Sequence, residues 1–211
     1  MSNCLHDICR QEQAKELAQL TTGKERFEAF RLDYYPETID ADYGVSPRKV
    51  MEANLKVCKA FARDFCPEIG NMMFVGGTGL GKTFLSACIA NAVVDRGYSV
   101  AYESAPRLFS KLEKDRFDHN EESREETANI RNCDLLIIDD LGTELPGQFV
   151  TAALYELLTE RLTEGRAVLI STNLNVDEMA KRYSPQIASR LQGNFRRLTF
   201  VGQDIRVLQF K

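Results

Sequence analysis

A glycine-rich run in the first half of the chain has the residue types needed to bind phosphate. The run is Gly76-Gly77-Thr78-Gly79-Leu80-Gly81-Lys82-Thr83, which fits the pattern G-x-x-x-x-G-K-[ST]. Glycines let backbone N–H groups turn towards phosphate oxygens, and a following helix adds its positive N-terminal end. We expect Lys82 to reach the β- and γ-phosphates and the Thr83 hydroxyl to hold Mg²⁺. The alternative is a glycine turn that binds no nucleotide.

Two carboxylates form the second chemical signal. Asp139 and Asp140 follow four branched apolar residues in the run CDLLIIDD, which predicts a buried parallel strand. Ligands of α/β proteins bind at the carboxyl ends of such strands. We expect Asp139 to hold Mg²⁺, directly or through water, and Asp140 to orient or activate the attacking water. An acidic turn after a core strand is the alternative.

A third polar group follows another apolar run. Asn173 comes just after the predicted strand 167–171, where it could hydrogen-bond the γ-phosphate or the attacking water. A turn-forming asparagine is the alternative. No Asn-Lys-x-Asp sequence for reading guanine is present, so ATP is the expected nucleotide.

Strands and helices alternate around these groups, which predicts a three-layer α/β P-loop domain with a mostly parallel central sheet. Pro47 after Ser46 is typical of a helix start, and that helix should reach about Asp64. The expected strands are 72–75, 98–103, 133–140, 167–171 and an edge strand at 198–201. Further helices are expected over 84–94, 104–117, 150–162, 176–183 and 186–191.

Composition limits the setting. The chain has 211 residues and a net charge of −4, so contact with nucleic acid would need a local basic patch. No apolar run is long enough to span a membrane, and the first 20 residues do not resemble a signal peptide, so we expect a cytoplasmic protein. The six cysteines are expected to be reduced thiols. Cys4, His6 and Cys9 are spaced like part of a zinc site, although free thiols at a frayed terminus are the alternative.

Several segments together resemble a known family. They are the run from Tyr34 through the glycine-rich loop, LLIIDDLG at 135–142, ISTNL at 170–174, IASRL at 187–191 and GQDIR at 202–206. The chain is similar over about residues 30–211 to the AAA+ domain of bacterial replicative helicase loaders of the DnaC/DnaI type. It also resembles IstB, the ATPase helper of a transposon family.

The resemblance implies roles for particular residues. Asn173 would be the sensor 1 residue and Arg206 the sensor 2 arginine. Arg190 would be the arginine finger that reaches the ATP of the next subunit, which can raise phosphoryl-transfer rates by about a thousandfold or more. Surface or salt-bridged arginines are the alternatives. Asp140 stands where AAA+ proteins commonly have Glu, and its shorter side chain would suit slow hydrolysis.

The resemblance also implies single-stranded DNA as a ligand, because the helix 104–117 matches a segment that loaders use in assembly and DNA contact. Arg107, Lys111 and Lys114 share one helical face there. Phe149, Phe109 or Phe117 could supply a stacking surface for bases. A solvated basic face is the alternative, and Arg196-Arg197 is a weaker candidate.

We expect residues 1–45 to form an N-terminal helical or linker remnant and residues 46–211 to form the ATPase domain. About 38 residues follow Asn173, too few for a C-terminal helical lid. A neighbouring copy of the chain would then complete the ATP site and supply Arg190, which predicts a homo-oligomer.

Three functions follow from these features. The first is an ATP-dependent loader of the replicative hexameric DNA helicase, with ATP and Mg²⁺ as cofactors and hydrolysis stimulated by DNA or oligomerisation. The second is an IstB-like helper of a transposase acting on duplex DNA. The third is a small-molecule P-loop kinase, for which the sequence gives neither a substrate pocket nor an arginine-rich lid.

Overall fold

A computed structural model describes residues 25–41, 43–118 and 121–208. Its centre is a sheet of five parallel strands in the order β2-β3-β4-β1-β5. The strands are β1 (Asn71–Val75), β2 (Val100–Ser104), β3 (Leu135–Leu141), β4 (Ala167–Thr172) and β5 (Phe195–Thr199). The predicted three-layer α/β fold with a parallel sheet is confirmed.

Helices cover both faces of the sheet. They are α1 (Pro47–Arg63), α2 (Lys82–Asp95), α3 (Ala105–Asp118), α4 (Glu121–Asn132), α5 (Gln148–Thr163), α6 (Val176–Arg182), α7 (Pro185–Asn194) and the short α8 (Ile205–Leu208). Ser46 caps α1 by accepting a hydrogen bond from the Lys49 N–H, as the Ser-Pro pair predicts. No described helix combines the length and the apolar character that a membrane span requires.

Alternate residues of the central strands supply two separate cores. In β3, Leu135 and Ile137 pack in the core beneath α1 and α2, whereas Leu136 and Ile138 pack in the core on the opposite face. Successive side chains of a strand point to opposite faces, so an unbroken apolar run is what a strand covered on both sides requires. The polar residues that follow each run are thereby held at one edge of a rigid sheet.

The last strand differs from its predicted position. Residues 198–201 were expected to form it, but β5 begins at Phe195 and ends at Thr199, where it pairs with β1. The exposed side chains of Arg196 and Arg197 interrupt the apolar pattern that predicts a strand. Phe200, just beyond the strand, is buried and packs against Phe74, with the two rings tilted and their centroids 4.9 Å apart.

The segment before α1 packs on the domain. It forms two short 3-10 turns, Phe27–Ala29 and Leu32–Tyr34. Tyr35 is 1% exposed and belongs to the core beneath α1 and α2. Arg26 forms an ion pair with Asp95 at the end of α2. The division of the chain at residue 45 stays a prediction, and Cys4, His6 and Cys9 lie outside the described residues.

Candidate functional site

The glycine-rich loop surrounds the ammonium group of Lys82. Lys82 Nζ donates to the carbonyl oxygens of Gly76 and Gly77, each at 2.7 Å, and to Oδ1 of Asn173 at 2.6 Å. All three acceptors are neutral. Burial lowers the pKa of Lys82, and the charges of Asp140 and Asp139 partly oppose this effect. Among the residues that the structure describes, no carboxylate contacts this buried ammonium directly, so it is suited to an anionic ligand.

The start of α2 fits a phosphate group. Gly81 precedes the helix with φ +86°, and no side chain caps the first turn. A Cβ at Gly81 would lie 2.8 Å from the Tyr35 hydroxyl, so the left-handed backbone and the close contact both require glycine. The uncapped N–H groups and the positive helix end can therefore face a phosphate.

A cavity of about 740 Å³ lies against this loop, within the size range of small-molecule sites. The loop from Thr78 to Thr83 and Asp140 line it on one side, with Ile205 and Arg206 beside them. The aromatic part of its wall comes from Phe30, Tyr34 and Tyr35. The cavity therefore combines polar groups suited to phosphates with aromatic side chains suited to a base.

Sequence reasoning missed this aromatic wall. The Tyr35 hydroxyl donates to the Leu80 carbonyl at 2.9 Å, and Phe30 stacks on Tyr35 with ring centroids 5.7 Å apart. Residues 26–35 show no helical or strand period, so no local pattern indicates that they return to the glycine-rich loop. The cluster of aromatic residues itself was the available signal.

A bulge in β3 carries the two carboxylates. Ile138 pairs with Ile170 and Leu141 with Thr172, so Asp139 and Asp140 together oppose the single residue Ser171. Asp140 has φ +55°, the one positive value among described residues other than glycine. Burial and then the charge of Asp139 raise the pKa of Asp140. The irregular backbone lets two adjacent carboxylates act near Lys82.

Two residues that the sequence did not single out hold Asp139. Ser171 donates from its hydroxyl to Asp139 Oδ1 and accepts the backbone N–H of Asp140 at 2.8 Å. The Tyr102 hydroxyl donates to Asp139 Oδ2 at 3.0 Å and lies 3.5 Å from the Thr83 carbonyl. A serine inside the apolar strand AVLIST was a weak signal for this role.

The donor set fits Mg²⁺. Thr83 is exposed at the cavity and Asp139 lies close by, since Tyr102 contacts both residues. Mg²⁺ prefers oxygen ligands and is commonly held by one or two protein groups together with phosphates and water. Within the described ranges, no group of three or more His, Cys, Asp or Glu residues could hold a metal ion by itself. Thr83 and Asp139 would therefore hold the ion together with a phosphate ligand.

The two predicted catalytic arginines lie in different places. Arg206 lines the cavity and pairs with Asp204, with Nε 3.2 Å from Oδ1. Arg190 lies on α7, is absent from the cavity wall and stacks on Tyr155. Their roles as sensor and finger stay predictions.

The predicted DNA-contact residues are not equally accessible. Lys111 Nζ lies 2.7 Å from the buried carboxylate of Glu103, and Arg107 Nε lies 3.7 Å from it, whereas Lys114 is exposed. The half-buried Phe149 has the guanidinium of Arg116 5.7 Å from its ring centroid.

The aromatic alternatives on this face differ from each other. Phe109 is 4% exposed in the core, so the expectation that it could stack a base is wrong. Phe117 is 69% exposed. The DNA contacts of Arg107, Lys111, Lys114 and Phe149 stay predictions.

Comparisons with solved structures agree with the fold. The crystal structure of the DnaC helicase loader matches with a TM-score of 0.69 and 19% identity over 84% of this chain and 97% of that chain. The replication initiator DnaA bound to AMPPCP and single-stranded DNA gives a TM-score of 0.66 and 17% identity over 85% of this chain and 50% of that chain. The fold is therefore that of AAA+ P-loop domains.

Sequence comparisons identify the family. The replicative helicase loader DnaC of Escherichia coli K12 is 28% identical over 139 residues, which are 65% of this chain and 56% of that protein. The chain thus spans little more than half the length of this relative. The family model of the IstB-like ATP binding proteins matches residues 10–190. With the glycine-rich loop, Asp139 and the AAA+ fold in place, the chain belongs to the family of IstB-like ATP-binding proteins.

Proposed function

We propose that the chain is an ATP-dependent helicase loader. It binds ATP with Mg²⁺, assembles with other copies of itself on single-stranded DNA and helps to load the replicative hexameric helicase in the cytoplasm. The similarity to DnaC supports the loader role over the transposase helper. The site observation that carries the proposal is the contact of Lys82 with Asn173, beside two carboxylates and a cavity with an aromatic wall.

Each site residue has a role in this proposal. Lys82 and the N–H groups at the start of α2 neutralise phosphate charge, and Thr83 with Asp139 holds Mg²⁺, which would stabilise negative charge on the phosphates. Asp140 accepts a proton from the attacking water, which Asn173 orients. Arg206 contacts the nucleotide of its own subunit, whereas Arg190 contacts that of the neighbour.

The two kinds of side chain that line the cavity suggest how ATP binding is divided. Phosphates lie at Lys82 and adenine lies near Phe30 and Tyr34, since an aromatic surface suits a base. In this proposal the segment before α1 contributes Phe30 and Tyr34 to the ATP site, and residues 46–211 form the ATPase domain. ATP would order the contact with a neighbouring subunit, and hydrolysis of that ATP would release the assembly. The chain would thus act as a switch.

DNA contact is assigned to the exposed part of the basic face. Lys114 and Arg107 on α3 offer positive charge, and Phe149 offers an aromatic edge. Lys111 mainly neutralises the carboxylate of Glu103, so it adds little free positive charge to this face. In a chain of net charge −4, such a local patch is what single-stranded DNA would require.

Binding to defined partners tests the function. Purified chain is mixed with a purified replicative hexameric helicase, or with long duplex DNA, in the presence of Mg-ATP. We expect capture of the helicase by the wild type and its loss in Lys82→Ala. Retention of duplex DNA alone would favour the transposase helper. Rapid turnover with a small phosphoryl acceptor, without DNA or assembly, would favour the kinase.

A further inference from the structure

Arg190 is held by an aromatic residue of the neighbouring helix. Its guanidinium carbon lies 4.5 Å from the ring centroid of Tyr155, which belongs to α5. Its Nη2 also donates to the Tyr155 hydroxyl at 2.8 Å. Stacking and a hydrogen bond together restrict a long side chain that would otherwise sample many rotamers.

This partner leaves the charge of Arg190 available. Among the described residues, no carboxylate lies within ion-pair distance of Arg190, and its backbone carbonyl accepts from Asn194 of the same helix. Arg182 provides a contrast nearby, because its Nε lies 3.1 Å from the buried carboxylate of Glu144. A neutral anchor fixes the geometry of a cation without neutralising it, as recognition of an external anion requires.

The pair lies away from the chain's own nucleotide cavity. Neither Tyr155 nor Arg190 lines that cavity, and Tyr155, which is 40% exposed, instead lines a separate open groove of about 660 Å³. The groove runs between α5 and the segment from Arg182 to Gln186. Arg190 therefore lies outside the site that would hold the nucleotide of its own chain.

We propose that Tyr155 is the positioning residue that orients Arg190 towards the triphosphate of an adjacent copy of the chain. This inference rests on the proposed function, in which Arg190 is supplied in trans. We expect the contact between the ring and the guanidinium to contribute most to the orientation of Arg190. The hydrogen bond from Arg190 to the Tyr155 hydroxyl contributes less. Tyr155 itself contacts no substrate.

Two substitutions separate the parts of this contact. Tyr155→Phe keeps the ring and removes the hydrogen bond, whereas Tyr155→Leu removes both. We expect kcat of DNA-stimulated ATP hydrolysis to fall about fivefold or more in Tyr155→Leu and about twofold in Tyr155→Phe, with little change in KM. Tyr43→Leu is the matched control and should retain the wild-type rate, because Tyr43 is 55% exposed and lines neither the cavity nor the groove.

Mixed assemblies test whether the defect acts between subunits. Lys82→Ala chains lack the nucleotide-binding lysine but carry an intact Tyr155–Arg190 pair. Adding them to Tyr155→Leu chains should restore hydrolysis towards the wild-type rate per active site. The ATP bound by a Tyr155→Leu chain can then be contacted by the well-oriented Arg190 of a Lys82→Ala chain. A purely structural defect within the Tyr155→Leu chain would not be rescued, and failure of rescue overturns the proposal.

Arg190→Ala, measured in parallel, separates this inference from the function on which it rests. If Arg190→Ala retains the stimulated rate, the assignment of Arg190 in trans fails, and the role of Tyr155 fails with it. If Arg190→Ala loses the stimulated rate while Tyr155→Leu keeps or increases it, only the positioning role is overturned. Loss in Arg190→Ala, a smaller loss in Tyr155→Leu and rescue by mixing support the proposal.

Discussion

The ammonium of Lys82 donates a 2.6 Å hydrogen bond to Oδ1 of Asn173, across a separation of 91 residues in sequence. Nδ2 of the same asparagine donates to the Thr78 hydroxyl at 3.3 Å. The glycine-rich loop and the end of β4 are therefore already joined at the position where the γ-phosphate is expected. A residue that senses the γ-phosphate must contact both the glycine-rich loop and the end of β4. Asn173 lies at the end of β4 and contacts Lys82 and Thr78.

Replacing Asp140 by Asn should separate catalysis from binding. Asn tolerates the left-handed backbone at this position and cannot accept a proton. We expect stimulated hydrolysis to fall at least about 100-fold, with the affinity for ATP within about threefold of wild type. In metal-free buffer near neutral pH the free energy of unfolding should rise, because burial and Asp139 disfavour the ionised Asp140 in the folded state. Wild-type turnover in this variant would refute the role of Asp140.

Tyr35→Phe tests the link between the N-terminal segment and the glycine-rich loop. The substitution leaves the Leu80 carbonyl without its donor in a nearly buried site. We expect a loss of about 1–2 kcal/mol in the free energy of unfolding and a weaker affinity for ATP. Urea denaturation measures the first effect, with Tyr43→Phe as the exposed control. Equal stability of the two variants would show that the contact is dispensable.

Arg161 is a buried cation that supports the fold rather than the site. The side chain is 0% exposed, and its guanidinium donates hydrogen bonds to the carbonyl oxygens of Ile130, Arg131 and Ala167. Arg161→Met removes the buried donor shared by these carbonyls, so we expect a loss of about 3 kcal/mol or more in stability. Chemical denaturation should show no comparable loss in Arg63→Met, whose side chain is 74% exposed. A loss below about 0.5 kcal/mol would contradict this role.

Glu144 joins the loop after Asp140 to the end of α6, where Arg182 and Tyr183 lie. It accepts hydrogen bonds from the Gly142 N–H at 2.9 Å, from Arg182 Nε at 3.1 Å and from the Tyr183 hydroxyl at 2.6 Å. Glu144→Ala should cost about 2–3 kcal/mol of stability and Glu144→Gln less, because the amide can keep part of the network. Thermal unfolding with the exposed Glu113→Ala as control measures the difference, and equal midpoints for Glu144→Ala and the control would contradict it.

The sheet and the phosphate loop were predictable because each rests on a local pattern. Branched apolar runs predict β3 and β4, and polar groups that end parallel strands meet at one edge, which places Asp139 and Asn173 together. Lys82 follows from the spacing of the glycines. These features need only neighbouring residues for their identification.

Other features depend on contacts between distant segments. Sequence periodicity placed Lys111 on a basic face, but it could not show that Glu103 at the end of β2 lies beneath that face. Tyr35 reaches Leu80 from a segment without regular structure. The bulge at Asp140 also has no sequence signature beyond two adjacent carboxylates. Tertiary packing decided each of these positions.

Calorimetric titration of the purified chain with ATP and Mg²⁺ tests the nucleotide site most directly. We expect saturable binding at one site per chain, with affinity reduced on the order of 100-fold in Lys82→Ala, because the loss of a charge-assisted contact to phosphate is large. Lys56→Ala, whose side chain is 74% exposed, should bind as the wild type does. No heat from adenine nucleotides with the wild type, or equal affinity in Lys82→Ala, would contradict a nucleotide site at residues 76–83.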